Sequence, residues 1–253
     1  MPVYFAMLMI AFCLGTTLAW VEARRKGLSE RAILNLSLLI VFSALLGSKL
    51  FHVLFDGLSA YYVENPLEPL AFWRGGQVYY GGFLFAVLAA WGYCHLRSLP
   101  FWAVADCYSP AIALGLAFTR IGCFVSGCCY GKPTDSMVGI QYGRGYPATN
   151  AQIRDGLIAQ DSTASLPIHA TQLYESAGCF LIFLLLWFIY RKKQKADGGA
   201  FLLFGILYGI IRFMIEFLRD DPRGTIFLSW LSTSQAISLA VIGASMVAWR
   251  YLS

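Results

Sequence analysis

Long apolar runs, separated by short polar stretches, set the pattern of this chain. Seven windows, at about 4–21, 32–55, 81–96, 102–125, 176–190, 201–218 and 231–249, are apolar over lengths that cross or nearly cross a bilayer. A helix needs about 20 mostly apolar residues to do so. The window at 102–125 is rich in small residues and that at 176–190 is short. No repeat or low-complexity tract interrupts the series. The pattern predicts an all-α integral membrane protein of about seven transmembrane helices, built as a single multi-pass domain over residues 1–253. Two stretches, at about 56–78 and 127–171, remain as outer-face segments. The first window has no basic residue before it and no small-x-small site after it, which favours a retained helix over a cleaved signal.

Composition agrees. Apolar residues make up 58% of the chain and charged residues 13%, against roughly 45–50% and about 25% in soluble domains. Such a chain cannot cover itself with polar surface in water. Its basic residues cluster at Arg24, Arg25, Lys26 and Arg31, at Arg97, at Arg191, Lys192, Lys193 and Lys195, and at Arg250. Seven spans put all four positions on one side, and basic loops stay cytoplasmic. The expectation is an amino terminus outside and a carboxyl terminus inside. The net charge of +5 is then a matter of topology and anionic membrane lipids, with no nucleic acid partner implied. Between the spans, Tyr61, Tyr62, Phe72 and Trp73 suit an interfacial segment.

Ionisable residues inside the greasy windows change the picture from class to chemistry. Lys49, Asp106, Arg120, Arg212 and Glu216 interrupt apolar runs, with Arg219 at the edge of one. Each costs roughly 2.5–3.5 kcal/mol at a helix centre, so they must pair, face a wet cavity or bind something charged. Tyr208, Arg212, Glu216 and Arg219 follow at intervals of four, four and three, which places them on one helical face. Gly205 and Gly209 beside them permit close approach of a helix or ligand. A structural Arg–Glu lock accounts for part of this stripe. Two arginines to one glutamate leave positive charge over, which favours an anion such as phosphate. Arg120 ends an apolar run and is followed by Gly122, Gly127 and Gly131, a break that reads as a substrate-facing loop. At the entry to the fifth span, Thr171 is a candidate helix cap and Glu175 suits the helix dipole. His169, Gln172 and Glu175 are equally candidates for a functional role.

Four of the seven cysteines, Cys13, Cys94, Cys107 and Cys179, stand singly in apolar spans and read as core. Cys123, Cys128 and Cys129 are clustered near the outer face. Packing or a disulfide ranks first for them. A zinc site would need a fourth ligand, for which His169 is the candidate, and the spacing fits no standard zinc pattern. A reactive thiol would need a nearby cation, and Arg120 could supply it.

Taken together, Gly47-Ser48-Lys49-Leu50, Tyr80-Gly81-Gly82, Ala105-Asp106, Arg120-Ile121-Gly122 through Gly131, Gln172-Leu173-Tyr174-Glu175, Tyr208-Gly209, the run from Arg212 to Arg219, and Ser234-Gln235 give the chain a recognisable order. It resembles the prolipoprotein diacylglyceryl transferases over nearly its whole length. That resemblance implies a multi-pass enzyme of the bacterial cytoplasmic (inner) membrane. Its lipid substrate would be phosphatidylglycerol and its acceptor the lipobox cysteine of a signal-peptide-bearing prolipoprotein, with glycerol 1-phosphate released. It implies catalytic roles for Arg120, Arg212 and Glu216, with Tyr80 at the position of the family's histidine. Substrate-binding roles follow for Tyr4, Gly81, Gly82, Cys123, Cys128, Gly131, Tyr208 and Arg219. No cofactor and no metal is implied. The chain departs from the family at Tyr80, at Cys123 where asparagine is usual, and at Cys128 where glutamate is usual. Tyrosine, with a reference pKa near 10, is a poor base at neutral pH. Three other readings stay open at this stage: an enzyme using a different acceptor or anionic lipid, a non-catalytic lipid-binding or transport protein, and a thiol-redox protein resting on the three outer cysteines.

Overall fold

The computed structural model describes residues 2–55, 62, 65, 78–193, 196–221 and 231–252. Its helices are α1 (Pro2–Arg25), α2 (Glu30–Phe55), α3 (Tyr79–Leu96), α4 (Phe101–Ser126), the short α5 (Pro147–Arg154), α6 (Thr171–Leu184), α7 (Gly199–Glu216) and α8 (Thr233–Leu252). After α6 the coil widens into a π-helical stretch, Leu185–Tyr190, and closes with a helical turn at Arg191–Lys193. Six of these segments are long and apolar enough to cross a membrane, and α3 is apolar but shorter. Many large apolar side chains on them, including Phe42, Trp91, Leu181 and Met214, face outward, as lipid contact requires. The architecture is that of an all-α multi-pass membrane protein. The expected segment at 56–78 lies outside the described residues apart from 62, 65 and 78.

The window expected at 176–190 in fact starts at Thr171 and runs through Lys193. Its first turn is polar because those side chains hold the neighbouring loop, as set out below, so hydropathy alone starts the span too late.

The chain packs as two compact units, Trp20–Val104 and the combination of Met1–Ala19 with Ala105–Ser253. In the smaller unit α2 and α3 meet backbone to backbone. A Cβ built on Gly47 would lie 2.5 Å from the Gly81 carbonyl oxygen, and one on Gly82 would lie 2.9 Å from that of Ala44. Only glycine lets two helices approach so closely.

In the larger unit, α6, α7 and α4 share a core of Ile182, Leu186, Ala200, Phe204 and Ala113. The Ser176 hydroxyl on α6 donates to the Ala117 carbonyl on α4 at 2.9 Å. Gly205 and Gly209 face Ser245 and Ile242 of α8, so the approach they permit is that of a helix. The buried Asp106 of α4 accepts hydrogen bonds from the backbone amides of Gly198 (2.7 Å) and Phe201 (3.0 Å). A carboxylate there satisfies orphan amides and meets the positive end of the α7 dipole. Asp106 is thus a cap supplied from another helix.

Residues 127–170 form an ordered platform. Tyr130, Tyr142, Ala148 and Ile168 make its apolar centre. Buried polar side chains replace a sheet: Thr149 donates to the Tyr142 carbonyl (2.8 Å), and Gln152 accepts from the Leu166 amide (2.8 Å).

Candidate functional site

Glu175 is the hub of the polar interior. It lies one turn into α6 with its side chain fully buried. Its Oε2 is 3.0 Å from Arg120 Nε of α4 and 3.7 Å from Arg219 Nη1, and its Oε1 accepts from the Tyr208 hydroxyl of α7 at 3.1 Å. The Arg120–Glu175 pair is close enough for strong attraction, yet the N–H is not aimed at the oxygen, and both Arg120 Nε and Glu175 Oε2 lack a hydrogen-bond partner. The pair is therefore electrostatic more than directional.

One turn along α7 from Tyr208, Arg212 is 8% exposed. Its Nη2 donates to Glu216 Oε2 (2.6 Å) and to the Ser234 hydroxyl of α8 (3.0 Å). Its Nη1 is buried with no hydrogen-bond partner among the described residues. Burying guanidinium donors without an acceptor is expensive. A guanidinium oriented by two partners, with donors left over, can receive an anionic oxygen.

Arg219 was expected on the same helical stripe. The helix stops at Glu216, and the chain then turns to pair with the platform: Lys132 N donates to the Leu218 carbonyl at 2.8 Å, and Gly131 bridges Arg219. Arg219 instead makes a two-pronged pair with Asp221 at 2.8 and 2.9 Å. Burial alone would lower its pKa, but the Asp221 bonds outweigh that and hold it above the ordinary value. Among the described residues, three guanidiniums therefore meet three carboxylates, Glu175, Glu216 and Asp221. The surplus of positive charge expected from α7 alone does not hold, because α6 and the segment after α7 each contribute an acid.

The cysteine turn follows from how α4 ends. Gly127 is left-handed (φ +65°), its amide donates to the Phe124 carbonyl (3.1 Å), and the Cys128 amide donates to the Cys123 carbonyl (3.2 Å). This is the Schellman arrangement, which brings the residue three before the cap, Ser126, against the residue two beyond it. Here those residues are Cys123 and Cys128. Cys129 is also left-handed (φ +60°), a costly conformation for a residue with a Cβ. Two side chains from the start of α6 hold it: Thr171 Oγ1 donates to the Cys129 carbonyl (2.8 Å) and Gln172 Nε2 to that of Cys128 (2.7 Å). Thr171 is thus a tether for this loop and not the cap of its own helix, whose N-cap is Ala170. The three sulfur atoms lie within 4.8 Å of one another, and all three thiols are free, with no disulfide. Hydrogen bonds from Cys123 and Cys128, reinforced by Arg219 and Arg120, pull the Cys129 thiol below its ordinary pKa. Hydrogen bonds with Cys123 and Cys129, together with burial, push Cys128 up.

The remaining expected residues fall in three places. Tyr4 of α1 packs against Gly122, where a Cβ would lie 3.1 Å from its ring. Gly131 is wedged between backbones: a Cβ would meet the His169 carbonyl at 2.7 Å and that of Leu218 at 2.8 Å. Its role is to let the platform reach the end of α7. Gly81 and Gly82 lie in the α2–α3 contact, and the side chain of Tyr80 lies outside the described residues. His169 does not join the sulfur cluster, and its Nδ1 is 3.4 Å from the Tyr174 hydroxyl. Asp221 was missed in the sequence and Ser234 was named only within a family segment, because both are ordinary polar residues near a loop and a helix start, with nothing in their spacing to point to the arginines.

Comparison with known proteins identifies the family. A family model described as prolipoprotein diacylglyceryl transferase matches residues 1–251. A phosphatidylglycerol–prolipoprotein diacylglyceryl transferase of Clostridium tetani is 34% identical, over 94% of this chain and 88% of that protein. The one of Aromatoleum aromaticum is 35% identical over 97% and 89%, and a second such enzyme of Clostridium perfringens is 33% identical over 94% and 86%. With a buried arginine–carboxylate site on an all-α membrane frame and a match along essentially the entire sequence, the chain belongs to the prolipoprotein diacylglyceryl transferase family.

Proposed function

We propose that this chain transfers the diacylglyceryl group of phosphatidylglycerol to the lipobox cysteine of prolipoproteins. The setting is the bacterial cytoplasmic membrane, with the amino terminus outside. The acceptor sulfur, as thiolate, forms a bond to the glyceryl carbon that carries the phosphate. The carbon–oxygen bond breaks with its electron pair, and glycerol 1-phosphate departs. The observation that carries the reading is Arg212 Nη1, buried with no partner among the described residues while Glu216 and Ser234 fix Nη2. Fixed donors aimed at developing phosphate charge are the main catalytic device available to such a site. Arg120 adds a second guanidinium, linked to α7 through Glu175 and the Tyr208 hydroxyl.

The test supplies purified protein with phosphatidylglycerol and a lipobox peptide, and looks for a thioether-linked diacylglyceryl peptide by mass spectrometry. No product, under conditions where the Clostridium tetani relative makes it, would refute the proposal. The one-to-one pairing of arginines with carboxylates favours a second reading, a lipid-binding scaffold without turnover. Turnover that disappears in a folded Arg212→Ala variant would eliminate it.

A further inference from the structure

We infer that Cys123, Cys128 and Cys129 form a binding site for a thiophilic divalent metal ion of the zinc class. This assignment does not rest on the transferase reading. The sequence spacing fits no zinc motif, but the backbone does the work that spacing does elsewhere. The Schellman turn places Cys123 beside Cys128, and the left-handed Cys129 turns the third thiol toward the same point. The result is three sulfur atoms mutually within 4.8 Å, none of them in a disulfide. Around a tetrahedral zinc with bonds of about 2.3 Å, sulfur atoms stand about 3.8 Å apart, so a modest contraction completes the set.

Two further observations point the same way. The Cys129 backbone is held in a conformation that favours glycine, and two buried side chains of α6 clamp the carbonyls on either side of its Cα. Strain kept in place by dedicated contacts marks functional sites. Cys128 and Cys129 also line a cavity of about 510 Å³ with Tyr130, Asn150, Arg154 and Asp221. That cavity gives an ion a way in and leaves room for an exchangeable fourth ligand such as water. Three protein ligands with an open position are the arrangement of reactive zinc sites, as distinct from closed structural ones. Three thiolates on a divalent ion carry one net negative charge, and Arg120 Nη1, 4.0 Å from Cys123 Sγ, stands ready to offset it.

The experiment uses the full chain, purified in detergent, reduced and stripped of metal. Cobalt(II) is titrated as the probe, followed by zinc. The expected result is one cobalt per chain with an intense near-ultraviolet thiolate-to-metal charge-transfer band, displaced by zinc. In the Cys128→Ser/Cys129→Ser variant the affinity should fall by more than about 100-fold, since even changes outside the ligand set cost 10–100-fold. Because that variant can misfold, the wild-type chain provides an independent measure. Zinc should slow maleimide labelling of Cys128 and Cys129, mapped by mass spectrometry, whereas magnesium should not. Absence of the charge-transfer band in reduced wild-type protein overturns the assignment. So does a band unchanged in the double variant, or labelling indifferent to zinc.

Discussion

Replacing Glu175 by glutamine removes one buried negative charge while preserving shape and an acceptor for Tyr208. Its side chain is fully buried, so solvent offers no screening. At an effective dielectric of about 20, attraction to Arg120 at 3.0 Å is roughly 5.5 kcal/mol and to Arg219 at 3.7 Å roughly 4.5 kcal/mol. Desolvation offsets much of this, and removing one partner of a buried pair leaves a net loss of about 3–5 kcal/mol. For a chain of this length each kcal/mol is worth about 2–4 °C of melting temperature, so Glu175→Gln should melt roughly 6–20 °C lower in detergent. Adding Arg120→Gln removes the excess charge and should restore part of the difference, which a double-mutant comparison reads directly. A melting temperature within the scatter of ordinary surface substitutions, about 0.5 kcal/mol, would show that Glu175 is not the hub described here.

Three other outcomes follow. Arg212→Lys keeps the charge and the reach to Glu216 but loses the free Nη1 donors, so transfer should fall roughly 10²-fold with little change in melting; wild-type turnover would dismiss Nη1 as the anion donor. Gly131→Ala forces a Cβ to within 2.7–2.8 Å of two backbone carbonyls, and should cost about 1–3 kcal/mol of stability by thermal melting; an unshifted melt would contradict the wedge. In reduced, chelator-treated protein, Cys129 should alkylate faster than Cys128 at about pH 7, below the usual thiol pKa of about 8.5. A lowered pKa keeps the thiolate populated as pH falls, and Arg219→Gln should slow the reaction. Equal rates at the two thiols would refute that assignment.

The spans, and the arginines inside them, were legible because hydrocarbon permits few exceptions: a charge in an apolar run stands out by cost alone. Arg120, Arg212 and Glu216 were found that way. What the sequence could not convey was which acid answers which arginine. Glu175 looked like a residue serving its own helix dipole, and only the packing of α6 against α4 and α7 makes it the common partner. Arg219 fitted the helical stripe by spacing, and tertiary pairing with Gly131 and Asp221 ended the helix before reaching it. The cysteine cluster was visible along the chain, but the way its three thiols converge was not, for a related reason. Its geometry depends on two left-handed residues, of which Gly127 is an obvious candidate and Cys129 is not.

The glycine contact between α2 and α3 has a consequence for which side chains residue 80 can bear. Two helices that touch through carbonyl oxygens tolerate a single offset: sliding either one by a residue would drive Leu46 or Ser48 into the space that Gly47 leaves. Residue 80 adjoins this fixed point, so its backbone is pinned whatever side chain it bears. Evolution could therefore exchange the side chain at 80 without shifting the register, trying a different chemistry on an unmoved anchor.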